Sequence, residues 1–112
     1  MTEILQVITT TAIQADALMI AHAIVEQRLA ACAQVIGPIT STYWWQGKVE
    51  TAEEWLCIVK SRQDLYPALE KAIRQVHPYE VPEILAVSVV QGSKNYLEWM
   101  DRELAQPVDG EQ

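Results

Sequence analysis

The sequence predicts an α+β domain built on an antiparallel sheet, and three observations point to it. Segments of strand and helix character follow one another as strand, helix, strand, strand, helix, strand, helix. The two adjacent strands are joined by a short glycine-bearing turn, Gln46-Gly47-Lys48. Half of the 112 residues are apolar, enough for one core and a single domain over 1–112. The first six elements make the ferredoxin-like βαββαβ pattern, two helices on one face of a four-stranded sheet, and a C-terminal helix follows.

Each element has its own reason. Glu3 to Thr10 is rich in Ile, Leu, Val and Thr and apolar on both faces, which predicts a central, covered strand. A helix is expected from Ile13 to Leu29, with Ala17, Ile20, Ala21 and Ile24 as its buried stripe, Val25 at the flank, and Thr10 or Thr11 as cap. Ala31 to Trp45 reads as a long strand and Val49 to Ser61 as its partner. Within the partner, Trp55 to Val59 is apolar on both faces and is expected to be buried on both. Asp64 to Val76 predicts the second helix, with Leu65, Leu69, Ala72, Ile73 and Val76 on one face, Pro67 in its first turn and Pro78 near its end. A strand is expected from Glu83 to Gln91, after Pro82, and Gly92 turns the chain. Ser93 caps a last helix carrying Tyr96, Leu97, Met100 and Leu104, with Glu98 and Arg102 paired at i,i+4. Residues 106–112 read as a frayed tail.

The central hairpin is too long for its domain. A straight strand from Ala31 to Gln46 would reach ~50 Å at ~3.3 Å per residue, whereas a domain of this size has a radius of gyration of ~13 Å. Either Pro38 bends the strand or the hairpin projects. Projection exposes Tyr43, Trp44 and Trp45, and an open sheet face exposes Leu56 and Ile58. A second copy of the chain would cover both, so a homo-oligomer is expected.

A net charge of −7 argues against a nucleic-acid partner and is compatible with attracting cations. No apolar run approaches the ~20 residues that span a bilayer, so no membrane partner is expected. The start Met1-Thr2-Glu3-Ile4-Leu5 lacks the basic region of a secretory signal. Two cysteines make no disulfide framework, which suggests free thiols in a reducing cytoplasm.

Candidate chemistry is sparse. A cysteine nucleophile needs a nearby base, and the chain offers only His22 and His77. Cys32 reads as a small core residue rather than a reactive thiol, and Cys57, in the most apolar strand, as packing. His22 lies off the apolar stripe, with Glu26 one turn on, and reads as a solvated surface histidine. No CxxC, HxxxH or calcium-loop motif supports a single-chain metal site, which leaves a site shared between subunits or a weak surface site. Glu54, Leu56, Ile58 and Lys60 share one strand face, either as a rim ion pair or as the floor of a cleft. The segment His77-Pro78-Tyr79-Glu80-Val81-Pro82-Glu83 is either a rigid binding loop or a plain helix–strand connector.

Four stretches together resemble the divalent-cation tolerance (CutA) family: Val25 to Cys32, Tyr43 to Lys48, His77 to Glu83 and Tyr96 to Trp99, in family order and spacing. The resemblance implies a tightly packed homotrimer whose long hairpins pair between subunits, an architecture similar to the nitrogen-regulatory PII trimers. It implies a link to copper and other divalent metals, with no settled enzymatic activity. It also implies an intersubunit cleft carrying Cys32, Trp45, Glu54, Lys60, Tyr79, Glu83 and Tyr96. There Glu54 and Glu83 would hold a cation or donor, Lys60 an anion, and Trp45 with Tyr96 an aromatic wall. Some relatives carry a cysteine at the end of the first strand, where this chain has Thr9-Thr10-Thr11. A divalent ion is then left to carboxylate and histidine, namely Glu54, Glu83 and His77, with Cys32 less suited. The expectation is a cytoplasmic homotrimer that needs no cofactor, binds Cu2+ weakly and responds to metal ions. The alternative is a PII-like signalling trimer binding a small anionic effector. A hydrolytic or transfer enzyme using Cys32 or Tyr96 lacks an activating base, so no enzyme is expected.

Overall fold

The structure, a computed structural model, describes residues 3–106. Its elements are β1 (Ile4–Thr11), α1 (Gln14–Glu26), β2 (Cys32–Trp45), β3 (Lys48–Arg62), a 3-10 turn (Gln63–Leu65), α2 (Tyr66–Val76), β4 (Ile84–Val89) and α3 (Lys94–Glu103). The strands form one antiparallel sheet in the order β2-β3-β1-β4. This is the expected ferredoxin-like arrangement. The expected tail lies outside the described residues from 107 onward. Gln106 itself is held, its amide donating to the carbonyls of Asp101 and Leu104.

Strand alternation divides the residues between two faces. On one, Leu5 and Val7 of β1 and Cys57 and Val59 of β3 meet Ile20 and Ile24 of α1 and Leu69, Ala72 and Ile73 of α2. The other face is covered at one end only, where Ile4 packs with Met100 and Leu104 at the end of α3. The pairing register places Ile8, Ile36, Leu56, Ile58, Leu85 and Val87 together on the remainder of that face. Ile36, Leu85 and Val87 are exposed there, and Ile8, Leu56 and Ile58 are half-buried. So the expectation that Trp55 to Val59 is covered on both sides fails within one chain. Cys57 and Val59 point into the core, while Leu56 and Ile58 point out of it.

Other local expectations were overridden by tertiary contacts. Helix α1 ends three residues early, because Arg28 takes a left-handed backbone (φ 61). Arg28 N–H bonds the Val25 carbonyl and Leu29 N–H the Ile24 carbonyl, the Schellman pattern that usually employs glycine. A non-glycine residue there costs roughly 1 kcal/mol. The Arg28 guanidinium bonds both the carbonyl and the carboxylate of Glu103, which offsets it. Neither Thr10 nor Thr11 caps α1; the Thr11 hydroxyl donates to the Ile13 carbonyl instead. Leu65 sits in the 3-10 turn and packs with the α3 cluster rather than with α2. Ser93 caps α3 as expected, accepting from Tyr96 N–H, but Glu98 and Arg102 form no ion pair.

Arg62, at the end of β3, fixes α3 to the sheet. It is 3% exposed and donates to both oxygens of Asp64, to Asp101 Oδ1 at 2.8 Å and to the Ala105 carbonyl at 2.6 Å. The bidentate fork satisfies a buried guanidinium from three directions at once.

The hairpin does both things the sequence left open: it bends and it projects. Between Ile36 and Ile39 the β2–β3 register slips, so Gly37 and Pro38 oppose Trp55 alone, a two-against-one bulge. The peptide Gly37–Pro38 is cis. Beyond the bulge the two strands run on to a turn in which Gln46 (φ 50) and Gly47 (φ 81) both take positive φ, as a type I′ turn requires. The molecule measures 47 × 30 × 24 Å with a radius of gyration of 15.1 Å, above the ~13 Å of a compact chain this long. Trp44 and Trp45 near the tip are 75% and 58% exposed.

The connector from α2 to β4 is pinned by His77, which is 8% exposed. Nε2 lies 2.8 Å from the Thr10 carbonyl, and Nδ1 accepts the Tyr79 N–H at 3.1 Å. A neutral ring protonated on Nε2 satisfies both bonds. Burial, the largest influence, lowers the His77 pKa below its ordinary value.

Two outcomes are expected. A Cβ on residue 37 would lie 2.5 Å from Trp55 Cε3, so G37A should lose about 1–3 kcal/mol in urea denaturation. Combined with W55L the loss should fall short of the sum of the single losses; simple additivity counts against the bulge–ring contact. His77 is neutral in both folded and unfolded chains above pH about 6.5, so its contribution to stability is complete there. As pH falls through about 6.5 towards the lowered folded value, the unfolded chain takes the proton first and stability drops. Denaturation at pH 7.5 and 5.5 should show a larger loss for the wild type than for H77Q, and equal losses reject this role.

Candidate functional site

The expected site residues occupy three places along the hairpin. The first is its elbow. Thr11–Trp55 is the last β1–β3 pair, so Glu54 stands where β3 leaves the body of the sheet, and Glu54 opposes Ile39 just past the bulge. Tyr79 reaches the elbow from the connector, its hydroxyl donating to Glu54 Oε2 at 2.9 Å. His77 lies beside it, ring centroids 4.8 Å apart. Burial, and then the hydrogen bond to Glu54, raise the Tyr79 pKa far above its ordinary range, so the phenol stays a neutral donor. Glu83 precedes β4, whose Ile84 pairs with Thr9, and lies at the same end of the sheet. It is exposed and makes no hydrogen bond or ion pair among the described residues.

The second place is Lys60, six residues further along β3 and hence roughly 20 Å from Glu54. Lys60 opposes Cys32 on β2 and Gln6 on β1. Its ammonium lies over the Tyr96 ring, 5.6 Å from the centroid, within cation–π range. Tyr96 in turn packs against Trp99 at 5.5 Å. Half-buried Lys60 has no carboxylate partner among the described residues. The third place is the tip, where Trp45 pairs with Lys48, roughly another 20 Å from Glu54 on the other side.

One chain therefore brings together His77, Tyr79 and Glu54, and separately Cys32, Lys60 and Tyr96, and leaves Trp45 apart from both. Glu54, Glu83 and His77 make no metal centre within the chain. Among the described residues no three His, Cys, Asp or Glu side chains gather to hold an ion. His77 has no ring nitrogen to spare, since both are engaged by backbone. Cys57 is sealed in the core, and burial pushes its thiol up to about 11, far from a reactive thiolate at neutral pH. Sequence reasoning missed Gln6 as a neighbour of Lys60. The signal was present, since Gln6 is the one polar side chain within the Ile-Leu-Gln-Val-Ile run.

The geometry agrees with known proteins along nearly the whole chain. Residues 5–103 match the family described as CutA1 divalent ion tolerance protein. The mouse protein CutA is 51% identical over 81 residues, 72% of this chain but 46% of the mouse protein, so the matched region spans under half of that relative's length. The divalent-cation tolerance protein CutA of Thermus thermophilus is 43% identical over 81 residues, covering 72% of this chain and 79% of its own. Its solved structure superposes with a TM-score of 0.88, covering 91% of this chain and 99% of that one at 37% identity. The crystal structure of CutA1 from Oryza sativa superposes with a TM-score of 0.91 at 34% identity, covering 95% and 97% of the two chains. The family match covers residues 5–103 and the solved structures superpose over more than nine-tenths of the chain, and the chain belongs to the CutA1 divalent ion tolerance family.

Proposed function

We propose that the chain works as a homotrimer that binds divalent metal, copper foremost, weakly and contributes to tolerance of such ions. The observation that carries it is the uncovered half of the sheet. Ile8, Ile36, Leu56, Ile58, Leu85 and Val87 form one apolar surface on a chain with a net charge of −7, and a contiguous apolar patch of this kind marks an interface. Covering it with further copies also brings the separate residue groups of neighbouring chains within reach of one another. Metal tolerance is supported by the family itself. The carboxylates available to a shared ion on this reading are Glu54, held by Tyr79, and the unpaired Glu83; His77 is not among them. The reading assigns no catalytic step and requires no cofactor. The cytoplasm is the compartment proposed, in keeping with Cys32 and Cys57 as free thiols.

One observation favours a second reading, the PII-like trimer binding a small anion. Lys60 is a half-buried cation without a carboxylate partner among the described residues, bordered by Cys32, Gln6 and Tyr96. An aromatic wall beside an unneutralised ammonium suits a small carboxylate or phosphate ligand.

Sedimentation at micromolar concentration should give a particle of three times the chain mass. L85E, on the exposed apolar face and outside the core, should shift it towards single folded chains; a wild-type monomer rejects the assembly. Calorimetry of the trimer with Cu(II), and with a panel of small carboxylates and phosphates, separates the two readings. Cu(II) heat weakened by E54Q and E83Q supports a shared metal site, and unchanged affinity removes it. Anion binding abolished by K60M supports the second reading.

A further inference from the structure

The chain has two histidines, and the fold gives them opposite fates. His77 is buried with both ring nitrogens engaged. His22 stands on the solvent side of α1, its side chain 81% exposed, with Glu26 Oε2 3.9 Å from Nε2 and itself 74% exposed. Of the two histidines, His22 is the one whose ring makes no hydrogen bond among the described residues, which leaves a nitrogen to ligate a metal. Copper, zinc and nickel favour imidazole, which is also the commonest protein ligand for such ions.

We infer that His22 and Glu26, with Met19, form a surface copper site on α1. The spacing puts all three on one helix face, Met19 three residues before His22 and Glu26 four after. Met19 is exposed at 45%, so its thioether is open to an incoming ion. Two donors on one ion, at bonds of about 2.0–2.1 Å, lie roughly 3 Å apart. The observed 3.9 Å closes by rotation of two largely exposed side chains. The last turn of α1 holds no basic residue, and the helix end contributes partial negative charge there. Arg28, just beyond, is turned to Glu103 at 3.1 Å. A thioether beside an imidazole and a carboxylate selects copper, in either oxidation state, over the hard cations calcium and magnesium. The site lies on the helix side of the sheet, away from the apolar face, so it stays open to solvent when that face is covered.

The inference rests on the reading that the protein meets divalent metal, and one experiment separates the two. Cu(II) is titrated into the full-length wild type, H22Q and E26Q, followed by calorimetry and electron paramagnetic resonance. All three should share one melting temperature without metal, because the changed groups are exposed. H22Q should lose at least about tenfold in affinity together with the nitrogen hyperfine pattern, and E26Q several-fold. M19L should weaken Cu(I) binding in competition with a chelator while leaving Cu(II) binding nearly intact. Wild-type Cu(II) affinity and nitrogen signal retained in H22Q overturn this site and leave the metal reading standing. A wild type that binds no Cu(II) overturns both.

Discussion

The hairpin leaves the body of the protein at a single place, and the way it is held there governs the rest. At the elbow β3 loses β1 as a neighbour, β2 takes up an extra residue, and Trp55 closes over Gly37. A bulge of this kind bends a strand and sharpens its twist without breaking the ladder. Glu54 is the first β3 residue beyond the shared sheet, and the Tyr79 hydroxyl ties it to the α2–β4 connector. That connector is in turn fixed to the end of β1 through His77 and the Thr10 carbonyl. The elbow is thus joined to the centre of the sheet by a chain of hydrogen bonds from Thr10 through His77 and Tyr79 to Glu54.

The same strand explains the uneven covering of the sheet. Its core-facing residues, Cys57 and Val59, are sealed by α1 and α2, and the alternate residues, Leu56 and Ile58, are sealed by nothing in the chain's described residues. Helix α3 reaches only the far end of that face. It is stopped and oriented there by Arg62, whose bonds to Asp64, Asp101 and the Ala105 carbonyl leave it little freedom to slide. An apolar surface left open beside an ordered helix is what a binding partner of the same composition would complete, which is why the proposed assembly and the proposed pocket stand together.

Electrostatics sort the candidate groups by availability rather than by type. Burial moves the Tyr79 phenol and the Cys57 thiol further above neutral pH than their ordinary values already lie, so both stay protonated and serve structure. Lys60 has no carboxylate partner among the described residues, and its ammonium lies over the Tyr96 ring. His22, read as a plain surface residue, is the histidine open to ligands, whereas His77, read as a candidate ligand, holds the backbone together.

Much of the fold is legible in the sequence because it follows from periodicity. The seven elements, the antiparallel order, the turn at Gln46-Gly47, the Ser93 cap and the overlong hairpin can all be read from spacing and residue type. The early end of α1 was not, because a left-handed Arg28 carries no glycine signal and is held by Glu103, 75 residues away. Nor was the fate of Leu65, which continues the α2 stripe in sequence but packs with the α3 cluster from the 3-10 turn. Local sequence determined which residues alternate and where the chain turns, since those depend on neighbours a few positions apart. Only the tertiary structure decided which face was covered, which histidine was spent, and how far Glu54, Lys60 and Trp45 stand from one another, because burial and hydrogen-bond partners come from segments remote in the chain.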